Sequence, residues 1–162
     1  MKLYINIGKK ITVSLVVSFI ILSIITGCGK EDAISVNKLP EVSDGAITFP
    51  APDFDDGAAK FYNYEDNGIK IRFFILKSSD GEIRAAFDSC DVCWRADKGY
   101  EQRGDSMICR NCGQSFRSDK INTVKGGCNP SPLERSSADG KIIIKVDDIL
   151  KGREYFDFKK RS

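Results

Sequence analysis

Cys90 and Cys93, then Cys109 and Cys112, form two C-x-x-C pairs with 15 residues between them, in a chain of 162 residues that has no histidine. The short loop of a C-x-x-C aims two sulfurs at one point, and two such loops can close a tetrahedral shell of thiolates. A separation of roughly fifteen to twenty residues between the pairs is a specific spacing for a metal site. A metal or iron–sulfur centre is therefore the leading reading, and a disulfide framework or free thiols the alternative. Four thiolates admit three metal states. Zinc gives a closed, redox-silent site whose binding energy becomes folding energy. One iron gives a rubredoxin-like centre, and two irons with bridging sulfide give an electron-transfer cluster. All three use the same ligands, so spacing alone does not separate them.

The N-terminal residues form a separate segment. Lys2, Lys9 and Lys10 precede an apolar run over residues 11–25, broken only by Thr and Ser. The run matches a signal h-region and is shorter than the roughly 20 residues of a spanning helix. It ends at Ile25-Thr26-Gly27-Cys28, which resembles the lipobox of bacterial lipoproteins. That resemblance implies cleavage before Cys28 and lipidation of Cys28; the alternative is an uncleaved, slightly short membrane anchor. Either way, the body of the protein is expected on the extracytoplasmic face of the cell membrane. The expected organisation is a signal peptide over 1–27, a lipidated Cys and flexible tether over 28–45, and a metal-binding domain over 46–158. The signal segment holds three of the 25 basic residues and no acidic ones, leaving 22 basic against 23 acidic, a net of −1. Charge therefore gives no argument for nucleic acid as a partner. The Lys9-Lys10 pair, in place of a twin arginine, argues for export of an unfolded chain and later metal capture, which favours zinc or mononuclear iron.

The pattern of the domain is mostly β. Residues 47–49 form a short strand candidate stopped by Pro50 and Pro52, and residues 61–64 are aromatic and extended. Ile69, Ile71, Phe73 and Ile75 alternate with Lys70, Arg72, Phe74 and Leu76, a half-buried strand becoming fully buried. Ser78-Ser79-Asp80-Gly81 is a turn signal, and the alternation resumes at Ile83, Ala85 and Phe87, so a β-hairpin delivers the chain into Cys90. Gly99 and Gly104-Asp105 punctuate short extended pieces between the cysteine pairs. Residues 121–124 form a candidate strand, and residues 126–132 a Gly- and Pro-rich loop holding Cys128. A second hairpin is expected to pair residues 133–137 with residues 141–146 through a turn at Asp139-Gly140, followed by one helical turn over residues 147–151.

Cys128 stands 15 residues beyond Cys112 and reads either as an additional ligand or redox thiol, or as a free cysteine. Trp94, next to Cys93, either shields the site or packs a core. Arg95, Lys98, Arg103 and Arg110 either offset thiolate charge or form a solvated face. With no histidine as general base, no G-x-S-x-G and no phosphate loop, hydrolytic chemistry has no support. An electron carrier or binding module is expected rather than an enzyme. A thiol–disulfide protein using one C-x-x-C remains a third reading, although the βαβ pattern of thioredoxins is missing.

The residues Phe87-Asp88-Ser89-Cys90-Asp91-Val92-Cys93, Lys98-Gly99-Tyr100, Met107-Ile108-Cys109-Arg110-Asn111-Cys112-Gly113 and Lys125-Gly126-Gly127-Cys128-Asn129-Pro130 carry a resemblance. They look like the membrane iron–sulfur-containing FtrD-like domain family, over about residues 45–156. The resemblance implies a membrane-associated iron–sulfur protein acting in electron transfer, accessory to iron transport, with a membrane redox or metal-transport partner. A weaker pattern is similar to Rieske domains, with Cys93 and Cys112 where that family has its two imidazoles. Thiolate in place of imidazole implies a lower potential. The fold expected is a single small β-sandwich or barrel-like domain with two metal-binding C-x-x-C knuckles, Rieske-like or zinc-ribbon-like. The four-cysteine site would hold an iron–sulfur cluster or mononuclear iron, with the alternative a structural-zinc module without redox activity.

Overall fold

A computed structural model describes residues 35–158, all within one unit that begins at Ile34. The signal segment and the lipidation expected at Cys28 lie outside the described residues.

The described chain is mostly β, as its alternation requires. Its strands are β1 (Val42–Ser43), β2 (Ala46–Pro50), β3 (Lys60–Asp66), β4 (Ile69–Lys77), β5 (Ile83–Phe87), β6 (Tyr100–Arg103), β7 (Ser106–Cys109), β8 (Ser115–Arg117), β9 (Ser136–Ala138) and β10 (Lys141–Lys145), followed by the helix α1 (Val146–Lys151). They form three antiparallel sheets, ordered β1-β2-β10-β9, β3-β4-β5 and β6-β7-β8.

The β3-β4-β5 sheet lies at the centre, because β4 is apolar on both faces beyond Arg72. Ile71, Phe73 and Ile75 point one way, into a core with Ile47 and Phe49 of β2 and Ile142 and Ile144 of β10. Successive strand side chains face opposite sides, so Phe74 and Leu76 point the other way. There they join Phe61, Ala86, Tyr100, Met107, Ile121, Cys90 and Cys109 in a second core against the β6-β7-β8 sheet. Two sheets thus make a sandwich, and the third makes an additional layer that bears Cys109 on β7.

The hairpin turns follow their chemistry. Asn67 and Gly68 between β3 and β4 both take positive φ, 49° and 76°. That is the conformation a two-residue hairpin connection requires. The second expected hairpin turns at Asp139-Gly140, with a shorter first arm than residues 133–137 would give: β9 begins at Ser136.

Two expectations change. Residues 121–124 are a turn, not a strand. Asn122 takes φ 66°, and its side-chain amide replaces a strand partner for Ala85: its Nδ2 donates to the Ala85 carbonyl at 2.8 Å and its Oδ1 accepts the Ala85 N–H at 3.3 Å. Ile121 alone is buried from this stretch and plugs the second core. The expected tether over 28–45 is also tied down in part. Val36 bridges Phe61, the Asn37 N–H donates to the Phe61 carbonyl at 2.8 Å, and β1 pairs with β2. Unpaired donors and acceptors at these sheet edges recruited a segment that has no periodicity of its own.

Candidate metal centre

Three connections deliver thiols to one place. The first leaves β5. The Phe87 N–H donates to the Ser131 carbonyl at 2.8 Å and the Asp88 N–H to the Arg72 carbonyl at 3.0 Å, so the chain reaches Cys90 still held on the central sheet. The Cys93 N–H then turns back to the Cys90 Sγ at 3.1 Å. The second is the end of β7. Gly113, at φ 75°, closes a knuckle whose N–H donates to the Cys109 carbonyl at 2.8 Å, and the Cys109 N–H donates to the Gln114 carbonyl at 2.9 Å. The third is the Gly- and Pro-rich loop. It runs beside β5, with the Ser131 N–H on the Ser89 carbonyl at 3.0 Å and the Leu133 N–H on the Ala85 carbonyl at 3.1 Å. That path carries Cys128 to the same spot.

The five cysteines among the described residues are free thiols; Cys90 and Cys109 are buried, Cys93 and Cys128 half-buried, and Cys112 exposed. Their sulfurs fall into two groups, Cys90–Cys93–Cys128 and Cys93–Cys109–Cys112, each with its sulfurs within 4.8 Å of one another. Cys93 and Cys128 stand 3.7 Å apart. A tetrahedral ion with metal–sulfur bonds of ~2.3 Å spaces its sulfurs about 3.8 Å apart, so this donor set fits a metal or iron–sulfur group without large rearrangement.

The surroundings hold the loops rather than the sulfurs. Tyr100 is buried beneath the cluster, and its hydroxyl donates to the Cys128 carbonyl at 2.6 Å. Burial and the Cys90 sulfur push its phenol well above the usual range, so it remains a donor. Asp88 accepts the Tyr100 N–H at 2.6 Å and the Arg72 Nε at 3.3 Å. Burial raises its carboxyl to about 6 in spite of Arg72. Gly99 is obligatory here: a Cβ would lie 2.3 Å from an Asp88 carboxylate oxygen, and φ is already 65°. Trp94 stacks on Phe158 with centroids 6.1 Å apart and lies under the Arg95 guanidinium at 5.1 Å. It shares a hollow of about 10 Å³ with Cys90, Cys93 and Cys109.

The thiols differ in acidity. The Asn111 side chain, with the Cys128 thiol, holds Cys93 below the usual thiol range. Burial raises Cys109 to about 11 and, with the neighbouring Cys112 and Cys93 thiols, raises Cys128 to about 12. So many sulfurs at this separation ionise together only when a cation joins them, which is the behaviour of a metal-binding set. Of the basic residues near the pairs, Arg103 is paired with Glu101, whereas Lys98 and Arg110 line a cleft of about 250 Å³ over Arg72 and Asp88. A hollow of about 560 Å³ at Asp55, Lys77, Gln102 and Asp105 touches none of the cysteines.

Sequence reasoning assigned no role to Asp88, Tyr100 or Asn111. A carboxylate closing the apolar alternation of Ile83, Ala85 and Phe87, followed eleven residues later by Gly99-Tyr100, is the signal that could have found the first two.

Fold and site together define a small β protein with a cysteine cluster able to hold a metal. The family of FtrD-like membrane iron–sulfur containing proteins matches residues 54–156, and the chain belongs to that family. No curated protein matches the chain. Among solved structures, one similar to it is the quaternary ammonium Rieske monooxygenase CntA in complex with an inhibitor. The likeness has a TM-score of 0.37 and 16% identity over 57% of this chain, and spans 30% of that protein's length. Among the described residues no helix is long and apolar enough to cross a membrane.

Proposed function

We propose that this chain is a membrane-anchored electron carrier that holds iron, as an iron–sulfur cluster or a mononuclear centre, on Cys90, Cys93, Cys109 and Cys112 and serves metal uptake. The observation that carries the reading is the gathering of these thiols, with Cys128, into two adjoining triads that share Cys93, in a family of membrane iron–sulfur proteins. An iron centre bound there supplies a one-electron couple. The rest is the work of this chain's own residues. Buried Cys90 and Cys109 anchor the donor set in the second core, while exposed Cys112 keeps it next to the surface where a partner can approach. The Cys93 N–H donates to the Cys90 sulfur, and hydrogen bonds of that kind raise a cluster's potential. Tyr100 fixes the loop over the site through a backbone carbonyl, outside the donor set, in the manner of supporting contacts around a metal.

Lipid on Cys28 would hold the domain at the extracytoplasmic face of the membrane, where a redox or metal-transport protein is the partner. Structural zinc is the second reading. It is favoured by the Cys109–Gly113 knuckle at the end of a short hairpin, in a layer too small to stand on apolar contacts alone.

The test is the full-length protein, purified in detergent without oxygen, with iron, zinc and acid-labile sulfide measured per chain beside a visible spectrum. Iron, with colour that dithionite bleaches and air restores, is the expected result. A colourless protein holding zinc alone would sink the electron carrier and leave a structural-zinc module.

A further inference from the structure

We propose that the five thiols form a two-ion site bridged by the Cys93 sulfur, with Cys90 and Cys128 completing one ion's protein ligands and Cys109 and Cys112 the other's. This rests on the reading of the cluster as a metal centre, and it adds the number of ions and the fifth ligand.

The sulfurs do not gather as one tetrahedral set. They fall into two triads, each within 4.8 Å, and Cys93 is the member they share. A tetrahedral ion takes four ligands, so five thiols at one place exceed what a single ion can use. Cys128 is not a loosely placed surplus. Its sulfur stands 3.7 Å from that of Cys93, the spacing of two ligands on one ion. Its loop is fixed at two points, by the Tyr100 hydroxyl on its own carbonyl at 2.6 Å and by the Ser131 N–H on the Ser89 carbonyl at 3.0 Å. Neither Cys90 nor Cys128 belongs to a triad with Cys109 or Cys112. The Cys112 thiol also neighbours Cys128, so the two triads face each other across the shared Cys93.

Charge points the same way. Five thiolates around one divalent cation leave a net −3, whereas two cations leave −1. An uncompensated charge half-buried beside Tyr100 and Met107 is costly. Each ion then has three protein sulfurs and a fourth position for a small ligand. Cys93 suits the bridging place because it lies between the two knuckles: its N–H is bound to Cys90 Sγ, and its sulfur shares a triad with Cys109 and Cys112.

The experiment is a cobalt(II) titration of the full-length, reduced, metal-free protein in detergent. It follows thiolate-to-cobalt absorbance, bound cobalt per chain and the cobalt paramagnetic resonance signal. Two cobalt ions per chain are expected, with the second equivalent diminishing the signal of the first because a shared thiolate couples their spins. Cys128→Ala is expected to bind one ion with an undiminished signal. One ion per chain in the unaltered protein overturns the bridged pair and leaves the four-thiol centre standing. No thiolate-bound cobalt overturns both. Two coupled ions in Cys128→Ala would remove Cys128 from the ligand set. Should that variant lose its β-sheet circular dichroism, the stoichiometry and resonance of the unaltered protein still decide.

Discussion

The two faces of the central sheet support cores of different kinds. On one face Ile71, Phe73 and Ile75 close against Ile47, Phe49, Ile142 and Ile144, a core of hydrocarbon that needs nothing from outside the chain. On the other, Phe74, Leu76 and Ala86 meet Tyr100, Met107 and Ile121 together with the sulfurs of Cys90 and Cys109. The second core has fewer large apolar side chains, and two of its buried members are thiols of the candidate metal site. One strand, β4, feeds both. The arrangement mounts the thiol layer on a scaffold with its own source of stability, so the site can be well placed while its own layer depends on what it binds.

The largest expected effects separate the two cores. Phe73 is fully buried in the hydrocarbon core. Phe73→Ala is expected to lower stability in denaturant by about 3–5 kcal/mol, from lost transfer energy and the cavity left behind. Metal binding by the folded fraction should be unchanged. Cys109→Ser acts on the other layer: metal content should fall, and hydrogen exchange should quicken across β6, β7 and β8 while β4 and β10 stay protected. Loss of protection in all three sheets together would mean that the layers are one cooperative unit and the comparison fails.

That division was only half legible in the sequence. The β4–β5 hairpin could be read because alternation and a Ser-Ser-Asp-Gly turn are local signals, and so could the turn at Asp139-Gly140. The spacing of the cysteine pairs is equally local. The path of residues 121–133 is not. A run of Ile-Asn-Thr-Val has strand propensity, but Asn122 satisfies Ala85 through its side chain, and the backbone turns instead. The position of Cys128 follows from pairing of residues 131–133 with β5, a contact between segments some 45 residues apart that no periodicity announces. The anchoring of Val36 and of β1 is of the same kind, decided by vacant edges elsewhere in the fold. Asn67-Gly68 is the opposite case, a strong hairpin signal that joins β3 to β4 and was available in the sequence.

One methyl group placed in each layer sharpens the comparison at a smaller scale. A Cβ at Gly152 would lie 2.2 Å from the Phe87 ring, inside the hydrocarbon core, where φ is ordinary. Gly152→Ala is expected to cost about 1–3 kcal/mol through overpacking, with metal affinity unaltered. Gly99→Ala adds the same methyl beside Asp88, at positive φ, with a strain cost of about 1–3 kcal/mol. Asp88 holds the Tyr100 N–H, and Tyr100 holds the Cys128 carbonyl, so this variant should also weaken metal binding. Comparing thermal midpoints with cobalt affinity for the pair distinguishes the layers. Equal affinity in both variants would show that Asp88 and Tyr100 do not position the site.

The smallest effect concerns the turn between β4 and β5, which Arg84 ties to Ile121 of the second core. The Asp80 carboxylate accepts bonds from Ser78 and the Glu82 N–H and pairs with Arg84, whose Nη1 reaches the Ile121 carbonyl at 3.0 Å. These contacts, led by the Ser78 hydroxyl, lower its carboxyl from 3.8 to about 2. A depressed carboxyl contributes stability that is fully present above its unfolded value. As pH falls the unfolded chain takes up the proton first, so the contribution disappears between about 4 and 2. Asp80→Asn removes it at every pH. The difference in unfolding free energy between the original protein and the variant should therefore be constant from pH 7 to about 5, shrink through that acid window and vanish only below about pH 2. Asp56 does not involve Asp80 and cancels in the difference, whereas Asp105 loses the Asp80 charge that raises its carboxyl and falls slightly further in the variant. A difference that stays flat to pH 2 would mean that the charge on Asp80 contributes nothing, leaving the tie between hairpin and Ile121 to Arg84 alone.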